Sequence, residues 1–382
     1  MFGAGYESGQ SSAGRAIRRV VHAEVVDGGR DSTLTTSCRT ATNSGGEEVG
    51  RRVREHAAYR APVSPLEVSD LIVDHHPGSL DRVPVARADV VATLRAAGQS
   101  RGARIAARLP VLDGGLLDPA YVDRRLVAVH TELQRLSEEL RIPERLAHLL
   151  GPLLTAVRSA EDAPDRIRVV DIGCGLGHVV RWLAAHEVLG PDVEVVGADV
   201  HAALVAEATR LADDEGLPCR FTRANAFRLD ETAPGTIPTP GAAVRAATVY
   251  ISTGLLHHFR GPDLDTFFAA QATPDTVAFC HYDIAATRIA PFGAWLFHRA
   301  RMRDPLGRHD GVASARRAHD DTTLLHAARA ARPLVPLIHE PTTRSNPLCT
   351  TLRPVLGIRP DLVGPLRAAL GKEARRLQGV AG

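Results

Sequence analysis

Aromatic residues are scarce: Phe, Trp and Tyr together make up 4% of the 382 residues. That leaves few platforms on which bases could stack. A surplus of one charge is also missing. Forty-six Lys and Arg stand against 44 Asp and Glu, a formal net charge of +2. Such a balance argues against obligatory nucleic-acid binding. The five cysteines (Cys38, Cys174, Cys219, Cys280 and Cys349) are far apart, odd in number, and form no CxxC pair. This excludes a disulfide framework and a cysteine-held zinc site, and reads as reduced thiols in a cytoplasmic protein. No apolar run approaches the roughly 20 residues that span a bilayer. Arg15, Arg18 and Arg19 are followed by no apolar segment, so the start does not read as a secretory signal.

What is present is 44% hydrophobic residues in a chain long enough for one large α/β domain and an attachment. Residues 1–62 are rich in Gly, Ser, Thr and Arg with little periodicity, and are expected to be a disordered extension. Residues 63–162 read as a helical cap. The clearest helix is predicted over 119–140, with Asp118 as N-cap and Pro119 in the first turn. Val122, Leu126, Val129, Leu133, Leu136 and Leu140 recur on one face, and Pro143 limits the helix before a second over 144–159. His75-His76, beside Pro77-Gly78, reads as a solvated loop.

From residue 163 short apolar runs alternate with helical patterns to the end at 382. Strands are expected at 167–171, 194–199, 219–222, 248–252 and 276–281, with helices at 176–186 and 201–215 between them. This alternation predicts a doubly wound, mostly parallel sheet of seven strands. The Pro-rich stretch 233–241 reads as a surface loop. A helical insertion is expected at about 284–332, with helices at 291–303 and 320–331. A last strand pair follows at 334–340 and 349–358, joined through 342–347. Pro336 and Pro354 place that pair near an edge or at a bulge.

The first strand runs into Gly173-Cys174-Gly175-Leu176-Gly177, and a helix begins there. Gly173 and Gly175 allow a tight turn and close backbone approach to a ligand, and Gly177 allows close helix–strand packing. Asp199 ends the next strand 22 residues after Gly177, where a carboxylate can accept from ribose hydroxyls. The dinucleotide fingerprint is GxGxxG, whereas this turn is the shorter GxGxG. Asp171 also precedes it, and a carboxylate there would repel a pyrophosphate but suit a sulfonium and an α-amino group.

Val-Asp-Ile-Gly-Cys-Gly-Leu-Gly over residues 170–177 resembles the first motif of class I S-adenosylmethionine-dependent methyltransferases. The resemblance covers about 167–282. It implies that fold and that cofactor, with the cofactor held by Asp171, Gly173, Cys174, Gly175, Gly177, Asp199, Val200, Asn225, Ala226 and Thr253. Asn225 stands where the family usually has Asp against the adenine amino group. Residues 253–259, with Leu256-His257-His258, are similar to the family's segment after the fourth strand.

Ligands of open α/β sheets lie beyond the carboxyl ends of the strands, so residues 253–259 and 281–283 face the methyl group. His258 is the first candidate base, then His257 and Asp283. Phe292, Trp295 and Phe297 could close an acceptor pocket, or pack an inserted helix. Arg299, Arg301, Arg303, Arg308, Arg316 and Arg317 fit either an anionic acceptor or a solvated face. Ser252-Thr253-Gly254-Leu255 replaces the NPPY-type tetrapeptide of amide-nitrogen methylation, so the expected acceptor is a small molecule. No metal site is expected. The competing readings are a non-catalytic nucleotide-binding or regulatory protein on the same fold, and an NAD-linked oxidoreductase.

Overall fold

Asp118 shows how the sequence starts its longest helix: its Oδ1 accepts from the N–H groups of Ala120 (2.9 Å) and Tyr121 (3.2 Å). A computed structural model describes residues 65–229, 236–239, 242–340 and 352–379. The extension expected at 1–62 and the connection at 342–347 lie outside the described residues. The described chain opens with α1 (Val68–Leu71), a ribbon of β1 (Asp74–His75) and β2 (Arg82–Val83), then α2 (Arg87–Ala96) and α3 (Ser100–Ala106). The capped helix is α4 (Pro119–Glu139). Val122, Leu126, Val129 and Leu136 on its apolar face are buried, but Leu133 is 37% exposed. Leu133 and Leu140 line the cavity described below.

Pro143 opens the next helix, α5 (Ile142–Arg158), as one of its first residues. This helix lies directly on the sheet. Leu146, Leu149, Leu150, Leu153 and Leu154 pack against Ile167, Val169, Val249 and Cys280 of the sheet.

The sheet follows as β3 (Arg166–Ile172), α6 (His178–Ala185), β4 (Val193–Asp199), α7 (Ala202–Glu215) and β5 (Arg220–Arg223). Then come β6 (Thr236–Thr239), β7 (Ala242–Thr253), α8 (Pro262–Ala269) and β8 (Thr276–Ile284). The insertion holds α9 (Ala290–Arg301), α10 (Pro305–Arg317) and α11 (Asp321–Ala328). The chain closes with β9 (Val335–His339), β10 (Leu352–Ile358), α12 (Val363–Leu370) and β11 (Leu377–Gly379). Strand order is β11-β9-β10-β8-β7-β3-β4-β5, with β6 paired to β7. The five strands from β5 to β8 are mutually parallel, and β10, β9 and β11 run antiparallel.

The period of two along β3 sends Ile167 and Val169 into one core and Val170 and Ile172 into the other. Helices α5, α6 and α12 cover the first face, and α8 and α11 the second.

Two expectations are corrected. Among the described residues the path holds eight strands rather than seven, because three-residue β11 is too short to show a pattern. That strand takes the edge, and β9, with Pro336, lies beside it, near the edge as expected, with β10 and Pro354 one place further in. Residues 236–239, expected in a loop, pair antiparallel with β7 from Thr236↔Arg245 to Thr239↔Ala242.

Helix α10 is a further addition. Its buried residues include Gly307, Ala313, Ser314 and Ala315, too small to give an apolar stripe. Its start does repeat the Asp-Pro signal of α4: Asp304 Oδ1 accepts from Leu306 N–H at 2.7 Å. Met302 and Leu306 share one core with Val68, Leu94, Leu126 and Val129, so the insertion and the N-terminal helices pack together.

Candidate active site

The chain leaves β3 for β4 and β5 on one side and returns to β7 and β8 on the other. Such a reversal opens a crevice at the carboxyl ends of the strands. A cavity of about 650 Å³ lies there. Gly173, Cys174, Gly175, Asp199, Val200, Asn225, Ala226, Thr253, His257 and His258 all line it, as expected from their places after the strands. Asp171, Gly177 and Asp283 do not.

The glycine turn is stitched to β4. Gly173 N–H and Cys174 N–H both donate to Ala198 O, at 2.7 and 3.1 Å, and Gly177 N–H donates to Cys174 O at 2.8 Å. Asp199 Oδ2 accepts from Gly175 N–H and Oδ1 from His201 N–H, each at 2.9 Å. These turn amides are therefore satisfied within the protein. A pyrophosphate site would need free N–H groups. Burial raises the Asp199 carboxyl above its ordinary value despite these bonds. The remaining lone pairs of its oxygens can accept from a diol.

Gly175 has φ of +55°, and a Cβ there would stand 2.6 Å from His130 Nδ1 of α4. A side chain would also collide at Gly177 (φ +68°), against the Phe221 ring. Gly177 therefore serves packing rather than direct contact. Burial, with His201 and His258 nearby, pushes His130 down to about 4, so a neutral ring covers the turn.

Asp171 corrects the charge argument. Its carboxyl is buried outside the cavity wall, Oδ1 has no hydrogen-bond partner among the described residues, and burial plus Asp199 push it up to about 8. It is mainly protonated at neutral pH and presents no charge to a ligand. Cys174 is likewise raised well above a reactive thiol by burial. Asn225 is partly engaged: Oδ1 accepts from Phe227 N–H (2.9 Å) and Nδ2 donates to Pro77 O (3.0 Å). One carbonyl lone pair remains for an amino group.

Beyond Thr253 the wall becomes strongly polar. His257 Nδ1 donates to Asp283 Oδ1 (2.8 Å), and His257 N–H donates to Asp283 Oδ2 (2.7 Å). Asp283 thus sits behind His257 and orients it, instead of touching an acceptor. His258 Nδ1 donates to Asp70 Oδ1 at 2.9 Å. Burial opposes the His258 imidazolium, but Asp70 and Glu67 outweigh it and raise the ring to about 9. A ring so raised favours holding its proton at neutral pH, which weighs against His258 as a resting base.

Sequence reading missed Glu67, Asp70 and the role of Arg317. Glu67 and Arg317 are buried. Arg317 Nη1 meets Asp70 Oδ2 (2.7 Å) and Glu67 Oε1 (3.2 Å), while Nε and Nη2 donate to the carbonyls of His257 and His258 (3.0 and 2.9 Å). Nothing in the local sequence links these positions. The solvated-face reading holds for Arg299, Arg301, Arg303 and Arg316, which are exposed. Of the aromatics in α9, half-buried Phe297 lines the cavity, whereas Phe292 and Trp295 are 66% and 44% exposed and close nothing.

Residues 170–273 match the family model described as a methyltransferase domain. That stretch carries the glycine turn, Asp199, Asn225 and the His257-His258 pair. Residues 170–273 are thus similar to a methyltransferase domain, and they sit on a mostly parallel sheet of the class I methyltransferase kind. No curated protein matches it. Among solved structures it is similar to the plantazolicin methyltransferase BpumL in complex with S-adenosylhomocysteine. That match has 11% identity and a TM-score of 0.41, over 63% of this chain and 91% of the other. It is also similar to magnesium protoporphyrin IX methyltransferase (ChlM) from Synechocystis PCC 6803. There the identity is 14% and the TM-score 0.35, over 72% and 99% of the two chains.

Proposed function

We propose that the chain methylates a small molecule with an apolar body and a polar, nucleophilic head. One observation carries this reading: a single cavity runs from the glycine turn to His257 and His258. Leu126, Val129, Leu133, Leu136 and Phe297 give it an apolar wall, and Glu67, Asp70, the histidines and Ser314 a polar end. Asp199 would hold the ribose, Asn225 and Ala226 the adenine, and Thr253 the region between donor and acceptor. When bound, the donor supplies an electrophilic methyl group on a sulfonium. The protein aligns the acceptor's nucleophile with that methyl carbon, the principal source of rate in such a displacement. A bond from the nucleophile to carbon forms as the carbon–sulfur bond breaks, and the nucleophile's proton leaves at the polar end. Free Cys174, Cys219 and Cys280 suit a reducing, cytoplasmic setting.

The test is a turnover assay with methyl-labelled S-adenosylmethionine and fractionated small-molecule extracts. Label should enter a low-molecular-weight, partly apolar product with matching release of S-adenosylhomocysteine. Label found only in protein or nucleic acid would overturn the acceptor reading. Tight donor binding with no turnover on any fraction would favour the non-catalytic regulatory reading.

A further inference from the structure

We propose that Glu67, His257 and His258 bind one divalent transition-metal cation at the polar end of the cavity. Each offers one ligand atom, and the three atoms lie within 4.8 Å of one another. Glu67 Oε1 is 3.7 Å from His257 Nε2, and Oε2 is 3.8 Å from His258 Nε2. These separations are too long for hydrogen bonds. They match two donors sharing an ion to which each binds at about 2.0–2.2 Å.

The surroundings complete the pattern. Each ring gives its Nδ1–H to a carboxylate, His257 to Asp283 (2.8 Å) and His258 to Asp70 (2.9 Å). That arrangement turns Nε2 of both rings toward Glu67, where a bound cation would take the place of the second ring proton of His258, and it is the support that metal-bound histidines characteristically have. Glu67 is itself fixed, by Ser314 Oγ (2.9 Å) and by Arg317 Nη1 (3.2 Å). Two imidazoles and one carboxylate are the donor set of open catalytic zinc and non-haem iron sites, which keep positions for substrate. All three residues line the acceptor cavity, so the open position faces it. Spacing alone could not reveal this site, because Glu67 lies far upstream of the histidine pair.

The catalytic consequence rests on the small-molecule reading above. An acceptor oxygen bound to the cation would lose its proton near neutral pH without a histidine base. Metal binding itself does not depend on that reading, and its test is kept separate.

Full-length protein is stripped with a chelator and titrated with Co2+, followed by visible absorption, and with Zn2+, followed by calorimetry. Binding of S-adenosylhomocysteine is measured on the same samples. One equivalent of metal should bind with a micromolar or tighter Kd. Glu67→Gln should weaken it by about a hundredfold, and Asp283→Asn by about 10- to 100-fold, with S-adenosylhomocysteine affinity kept. Asp199→Ala should do the reverse. Electron paramagnetic resonance of the Cu2+-loaded wild type should show coupling to two imidazole nitrogens, which reads the ligand set even if a variant fails to fold. Absence of saturable binding would overturn the proposal. Unchanged metal affinity in Glu67→Gln would overturn it as well.

Discussion

The two ends of the cavity are built in opposite ways. The donor end comes from segments that each follow a strand: 172–175 after β3, 199–201 after β4, 224–227 after β5 and 253–255 after β7. Its polar groups are satisfied largely by backbone, as in the paired donations from Gly173 and Cys174 to Ala198 O. The acceptor end draws Glu67 and Asp70 from α1 and its edge, His257 and His258 from the turn after β7, Asp283 from β8 and Arg317 from α10. There, side chains bind side chains across long stretches of sequence. Sheet topology alone therefore shapes the end of the cavity proposed for the donor. The acceptor end exists only once the N-terminal helices and the insertion have packed on each other, so it can change without disturbing the donor.

The strongest way to break this contrast is Arg317→Ala. The guanidinium is buried between Asp70 and Glu67 and also bonds two carbonyls. Its removal leaves buried carboxylates without their cation, and a loss of about 3–5 kcal/mol is expected in urea unfolding. A loss below about 1 kcal/mol would be that of a surface pair. The acceptor end would then be as loosely charged as ordinary surface, and the comparison would fail.

Asp199→Ala probes the donor end. A charged acceptor that loses its hydrogen bonds to a ribose costs roughly 1.5–3 kcal/mol of binding. The Kd for S-adenosylhomocysteine should rise by about 10- to 100-fold, read by calorimetry. Asp199→Asn, which keeps one acceptor oxygen for Gly175 N–H, should fall between. An unchanged Kd would remove Asp199 from the donor site and leave it only its bonds to Gly175 and His201.

The same contrast explains what the sequence made legible. Apolar spacing and the Asp118-Pro119 cap locate α4 to within a residue at its far end, and Gly216 ends α7 in the left-handed conformation. The glycine turn and Asp199 were readable because donor residues sit at fixed offsets after strands. At the acceptor end only His257, His258 and Asp283 were visible, and their charge states were not. Charge states there depend on Asp70 and Glu67, whose approach is a tertiary event. Packing also hid α10, where small residues replace an apolar stripe.

Asp171 gives the sharpest test, because it carried the charge argument for a sulfonium ligand. Its folded-state pKa is pushed up to about 8 from 3.8 by burial and by Asp199. Between those values the folded protein keeps a proton that the unfolded chain has released. The stabilising contribution of this group is therefore complete below about pH 4 and declines as pH rises to about 8, by at most about 1.4 kcal/mol per pH unit. Asp171→Asn mimics the protonated acid and lacks this decline. Thermal unfolding at pH 5 and pH 8 should show the variant gaining on the wild type as pH rises, with S-adenosylhomocysteine affinity at pH 7 little changed. Parallel pH curves would mean that Asp171 is ionised in the fold. A large loss of donor affinity would mean that its charge does reach the ligand. With neither, the choice of methyl donor over dinucleotide rests on the turn itself, whose amides are already bound to Ala198 and Asp199.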